Sequence, residues 1–281
     1  MNSTYQEFKP SAALEPFVDY YWLHTFEADG NQESPVQRCL PFGTLEIILH
    51  LDDNHCQVLH NNYWQKLPHG FFVGLYRDAV QWKCVGSGRK FGIQLKPESL
   101  LQLFNIPVAS LFNNFTDLET FFGKEINRLV EKVYGQLSIH SVIAAAEAFL
   151  LAQRRNLNAE RNYLFEATRL IRQSRGNLSI EAVSEHIYVS KRQLERSFKD
   201  NYGTTPKMYQ RIIRFRNAYE YFYQKPTAPD WQDISYTFGY SDQAHFIRDF
   251  KEFTDDVPTV VFNDTNQQFQ RPTCWGTYAR A

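Results

Sequence analysis

The sequence predicts a two-domain α+β fold: a β-rich, barrel- or sandwich-like N-terminal domain with a helical connector, then an all-α domain of two helix-turn-helix units joined by a linker helix. Three observations carry this. Apolar residues come in short runs up to Leu95 and at helical spacing from Leu118 on. A polar stretch, Gln153-Arg154-Arg155-Asn156-Leu157-Asn158, separates the two halves, and the last hundred residues repeat themselves at an offset near 52. The expected division is 1–157, 158–265 and a tail of 266–281.

A chain of 281 residues is long enough for two cores, and 43% hydrophobic with 22% charged residues is the balance of an ordinary globular protein. No run of about 18 apolar residues occurs, and the first residues lack a basic segment followed by an apolar one. A cytoplasmic location and no membrane partner are therefore expected. Cys39, Cys56, Cys84 and Cys274 show no CxxC spacing, which predicts neither a zinc clip nor a disulfide framework, only small buried or surface thiols. The net charge is -1, yet the segment from His186 to Arg216 holds eight basic residues against two acidic ones, a local +6 suited to phosphates.

In the N-terminal half the candidate strands are Phe17–His24, Leu45–Leu51, Gln57–Leu59, Gly70–Val73, Val80–Val85 and Phe91–Leu95. Turn signals such as Pro41-Phe42-Gly43 and Gly86-Ser87-Gly88 separate them. A small barrel or sandwich would close their edges. Phe122, Ile126, Leu129, Val130 and Val133, then Val142, Ile143, Ala146, Phe149 and Leu150, recur at the spacing of two amphipathic helices.

In the C-terminal half Leu194, Arg196, Phe198, Lys199 and Pro206 recur as Phe246, Arg248, Phe250, Lys251 and Pro258; upstream the offset falls to 51, pairing Val183 with Ile234. Each copy is one structural unit. In the first, Ser179 caps a short helix with Ala182, Val183 and His186 or Ile187 inward, and Tyr188-Val189 turns the chain. Ser190 and Gln193 stand at capping-box spacing and open a second helix. Leu194, Ser197 and Phe198 face inward there, leaving Lys191, Arg192, Glu195, Arg196 and Lys199 outward. A short helix, a tight turn and a helix with a cationic face is the geometry that lays the second helix in a DNA major groove. Gly203 ends it, and Thr205-Pro206 start a longer helix to about Phe222. In the second copy Asp230 or Asp233 starts the support helix, Gly239 marks the turn, and Ser241 is expected to cap the second recognition helix, with Gln243, His245, Ile247, Arg248 and Lys251 outward.

The stretch from Gly239 to Lys251, followed by Pro258, closely resembles the most specific signature of the AraC family of bacterial transcription regulators. The first copy is similar too, through Leu178-Ser179, Ser190, Leu194, Arg196, Phe198-Lys199, Gly203, Pro206, Arg214 and Ala218. The likeness covers Phe165 to Val261. Tyr188 replaces the usual small residue of the first turn, Asp255 stands where the second copy normally has Gly, and the tyrosine-arginine ending is missing. The resemblance implies a sequence-specific regulator that binds double-stranded DNA through Ser190, Lys191, Arg192, Glu195, Arg196, Lys199, Ser241, Gln243, His245, Ile247, Arg248 and Lys251. Tyr20-Tyr21-Trp22, the run from Leu40 to Ile48, Phe72-Val73-Gly74 and the run from Phe91 to Pro97 resemble an uncharacterised domain often placed ahead of this module. For that domain family membership implies sensing of a small-molecule effector or homodimerisation, and names no ligand.

The rival reading is a metal-dependent barrel enzyme or sensor fused to a DNA-binding module. His24, His50, His55, His60 and His69 could serve such a site, but no H-x-H cluster supports it, and His55 and His60 are expected on loops. No triad order, phosphate loop or carboxylate pair is visible. No enzyme activity, metal or cofactor is therefore expected.

Overall fold

The computed structural model describes residues 2–153, 162–223 and 230–263. All but the first residue of the polar linker, and the tail 266–281, lie outside them. The chain forms two compact units: Met1–Val36, Thr44–Gly74 and Gln81–Leu157 make the first, and Gln37–Gly43, Leu75–Val80 and Asn158–Ala281 the second.

The described strands are β1 (Asn2–Phe8), β2 (Val18–Glu27), β3 (Gln37–Cys39), β4 (Leu45–His50), β5 (Cys56–His60), β6 (Tyr63–Lys66), β7 (Gly70–Val73), β8 (Val80–Cys84), β9 (Gly88–Leu95) and β10 (Phe115–Asp117). They form a six-stranded sheet of order β1-β2-β9-β4-β7-β10 and a four-stranded sheet of order β3-β8-β5-β6. The expected barrel or sandwich is thus two sheets, not a closed barrel. Of the strands without a sequence signal, β1 and β10 lie at sheet edges, and β1 (NSTYQEF) pairs on one side only. A strand with one neighbour need not alternate apolar and polar residues as a half-buried one does.

In the first unit Leu45, Ile47 and Leu49 of β4 stand opposite Leu95, Ile93 and Phe91 of β9, all essentially buried. Period two puts these six on one face. Helices cover it: α1 (Pro97–Phe104), α2 (Glu119–Phe122), α3 (Glu125–Val133) and α4 (Ile139–Gln153). Phe72 meets the rings of Phe104, Phe121 and Phe122, and Tyr21 donates its hydroxyl to Glu147 of α4 at 3.1 Å. The opposite face is polar and aromatic. Lys90 is buried with its ammonium 3.9 Å from the Trp82 ring centroid, and burial lowers its pKa while Glu46 opposes the shift. Burial raises the pKa of Glu46, against the pull of Lys90 and of the Trp22 indole.

One expectation fails outright: Cys56 and Cys84 form a disulfide. They stand opposite each other in the β5–β8 ladder, Cα to Cα 4.4 Å. Their backbone groups bond elsewhere, Cys84 to Ser34 and Cys56 to His50 and Leu67. This is the closely spaced, non-hydrogen-bonded kind of cross-strand pair, in which two thiols can meet. A separation of 28 residues carries no local signal for it. Cys39 is in no disulfide among the described residues, and Cys274 lies outside them. His60 is also not on a loop but closes β5, and His55 directly precedes that strand.

The second unit is helical: α5 (Asn162–Gln173), α6 (Ile180–His186), α7 (Lys191–Tyr202), α8 (Pro206–Tyr223), α9 (Trp231–Thr237), α10 (Gln243–Thr254) and α11 (Pro258–Phe262). Leu194 and Phe198 in the first copy, and Phe246 and Phe250 in the second, are fully buried. Two short inlays from the N-terminal half belong to this unit. Leu40 and Phe42 sit in one core cluster with Ile212, Phe215, Tyr219, Phe246 and Phe250, and Ala79 packs against it. Gly43 adopts φ +68°, and a Cβ there would come within 2.9 Å of Ile213, so both backbone and space call for glycine.

Candidate nucleic-acid interface

In the first copy Ser179 accepts from the Ala182 amide at 3.1 Å and opens α6, which buries Val183; just past its end Ile187 turns inward, and His186 is exposed. The turn places Tyr188 at φ +55°, with 95% of its surface exposed. Ser190 accepts from the Gln193 amide at 3.2 Å and starts α7, which Gly203 ends in the left-handed conformation. Ser190, Lys191, Arg192, Glu195, Arg196 and Lys199 are all exposed on one helix and its cap. Lys191 pairs with Glu181 at 2.5 Å, Arg196 approaches Asp200 at 3.8 Å, and Lys199 donates to the Gly203 carbonyl at 3.4 Å.

The second copy repeats this with substitutions. Asp230 accepts from the Gln232 amide at 2.8 Å, and Gly239 turns the chain at φ +71°, the position Tyr188 holds in the first copy. Ser241 does not cap the next helix. Asp242 does, accepting from the His245 amide at 2.7 Å, and that bond holds the carboxyl below its ordinary pKa. The offset of 52 pairs Asp242 with Ser190, so the repeat carried the signal and Ser241 is the extra residue of the longer turn. Ser241 instead lies 3.2 Å from Nδ1 of His245. Gln243, Arg248 and Lys251 are exposed. His245 is half-buried, with Nε2 3.9 Å from Asp249, and Ile247 packs partly against the core cluster.

The local charge of +6 overstates the surface field, because three of its eight cations turn inward. Arg211 binds Asp249 at 2.8 Å and Glu252 at 2.6 Å, tying α8 to α10. Burial opposes the charge on Arg211, but the bonds to the two carboxylates outweigh it and raise its pKa; Glu252 is lowered chiefly by its bond to Arg211. Arg214 donates to the Gly176 carbonyl at 3.0 Å and lies over the Tyr240 ring. Arg216 is buried, paired with Glu220 at 2.9 Å, and reaches the Phe42 carbonyl at 3.4 Å. The inlays add Arg38, which donates to the Thr254 carbonyl at 2.8 Å and pairs with Asp256 at 3.2 Å, and Arg77, which lies 3.6 Å from Glu252. The C-terminal end of α10 is thus held by three arginines, none of which a basic-residue count separates from phosphate contacts.

Comparison with known proteins agrees with this geometry. Residues 183–264 match a family model described as a helix-turn-helix domain, and residues 6–117 match a domain of unknown function. No curated protein matches the chain. Among solved structures, ToxT from Vibrio cholerae is similar at 10% identity over 86% of this chain and 97% of that one, with a TM-score of 0.44. An AraC-type DNA-binding regulator from Chromobacterium violaceum is similar at 29% identity over 36% of this chain and 91% of its own, with a TM-score of 0.33. The C-terminal domain of AraT from Geobacillus stearothermophilus is similar at 22% identity over 44% of this chain and 99% of its own, TM-score 0.34. The paired units of α6–α7 and α9–α10 define the class of helix-turn-helix domains. Residues 183–264 of this chain carry a helix-turn-helix domain, and residues 6–117 carry the domain of unknown function.

Proposed function

We propose that the chain is a sequence-specific transcription regulator whose α7 and α10 read two major-groove segments of one DNA site, and whose first unit binds a small-molecule effector. The observation that carries this is the pair of exposed polar helix faces, each placed after a capped turn and joined through α8. The 18 residues of α8 span about 27 Å at 1.5 Å per residue, most of the roughly 34 Å between successive major-groove faces. Arg196 and Arg248 are the candidates for base contacts, where a bidentate guanidinium–guanine pair contributes about 1–3 kcal/mol of discrimination. Lys191, Arg192, Lys199 and Lys251 suit phosphates, and the capped helix N-termini at Ser190 and Asp242 present backbone amides.

The test is selection of DNA fragments by the purified chain, with and without a metabolite library. The expected site is non-palindromic, with two differently read segments about 10 base pairs apart. Arg196→Ala should relax preference in one segment and Arg248→Ala in the other. Blurring of the same base pairs by both substitutions, or uniform loss of binding with the motif intact, overturns the assignment and reduces both arginines to phosphate contacts.

A further inference from the structure

The histidines set aside in the sequence come together only in the folded first unit. Nε2 of His55 and Nε2 of His69 stand 3.2 Å apart. Nδ1 of His55 lies 2.6 Å from the Leu67 carbonyl oxygen, which can only accept, so Nδ1 carries the proton and the Nε2 lone pair faces His69. His50 lies tilted behind His55 at 4.7 Å between ring centroids, with both its nitrogens engaged: Nδ1 donates to the Pro68 carbonyl and Nε2 accepts from the Cys56 amide. The pair lies on the wall of an open cavity of about 790 Å³, lined also by His60, Asp117 and Glu119.

From this geometry we propose that His55 and His69 bind one divalent transition-metal ion of the zinc, copper and nickel class. Two imidazole nitrogens bound at 2.0–2.1 Å to one ion are about 2.9 Å apart at a right angle and about 3.3 Å apart at a tetrahedral one. The observed 3.2 Å lies between. A ring nitrogen held by a backbone carbonyl, as in His55, is the usual way a ligating imidazole is oriented. Imidazole selects these metals over magnesium or calcium. Among the described residues no group of three or more His, Cys, Asp or Glu side chains is placed to hold a metal ion. The ion therefore has two protein ligands, and its remaining positions open on the cavity to water or to a bound molecule. This site does not depend on the DNA-binding reading.

The test is titration of the chelator-treated full-length protein with Zn2+ and with Cu2+. One equivalent of each is expected to bind, and the Cu2+ form of the unmodified chain should show two imidazole nitrogens by electron paramagnetic resonance. His55→Ala and His69→Ala should each weaken binding at least tenfold, while His60→Ala, on the same cavity wall, leaves it unchanged. His55→Asn and His69→Asn serve where an alanine variant loses its far-ultraviolet circular dichroism. The absence of stoichiometric binding, a single-nitrogen or histidine-free spectrum, or equal losses in the His60 variant overturns the site and leaves the pair as an imidazole–imidazole hydrogen bond.

Discussion

Phe42 provides the sharpest test of how the helical unit is held together. Its ring lies 5.3 Å from that of Tyr219 and 6.2 Å from that of Phe215, only 7% of its surface is exposed, and its carbonyl accepts from the buried Arg216. Truncation of such a ring to alanine costs about 3–5 kcal/mol, transfer and cavity together. The loss should fall on the second unit, because Phe42 shares its core cluster with α8 and α10. The assay is native-state hydrogen exchange, which reports opening free energies segment by segment. In the Phe42→Ala chain, amides of Phe215–Tyr219 and Phe246–Phe253 should exchange faster by about two to three and a half powers of ten, at about 1.4 kcal/mol for each. A change of less than tenfold would refute the inlay as part of that core. The same reasoning extends to residues 158–263 made alone, which lack both Leu40 and Phe42. A total stability of about 5–15 kcal/mol leaves that fragment marginal, and fragment amides as protected as those of the full chain would contradict this.

Arg211→Met leaves Asp249 buried without its cation and should cost about 3–5 kcal/mol, with much of it recovered in Arg211→Met/Asp249→Leu; chemical denaturation of both variants decides, and additive losses would count against the brace. Tyr188→Gly removes a left-handed strain of about 1–2 kcal/mol at the price of greater unfolded-state freedom, for a net gain of up to about 1 kcal/mol. Gly239→Ala, at the equivalent turn, should destabilise, so thermal midpoints moving in the same direction would disprove the equivalence. His24 is pushed down to about 3 by burial and then by Lys90. Its neutral form therefore stabilises the fold above pH 6.5, and that contribution is lost as the pH falls towards 3, at about 1.4 kcal/mol per unit. Unfolding free energies measured between pH 7 and 4.5 should show a shallower acid slope in His24→Asn, and an unchanged slope would rule this out.

The C-terminal domain is legible because its signals are local. Caps, turn residues and the buried stripe of Leu194 and Phe198 act within four residues of one another, and duplication shows each signal twice. Even the misplaced cap at Ser241 was correctable from the repeat. The N-terminal domain was legible where strands alternate, as in β4 and β9, and silent at the polar edge strand β1. Spacing along the chain could not show which distant residues meet. The Cys56–Cys84 bond joins facing ladder positions, and His55 meets His69 across a turn and two strands. Leu40 and Phe42 leave the β-rich sequence for a helical core, and Arg211, Arg214 and Arg216 turn a basic run inward. Local free energies of a kcal/mol or so choose helix, strand and turn, so the sequence alone determined those elements. Burial and long-range pairing choose partners, and only the tertiary structure decided which cations stay exposed and which hold the protein together.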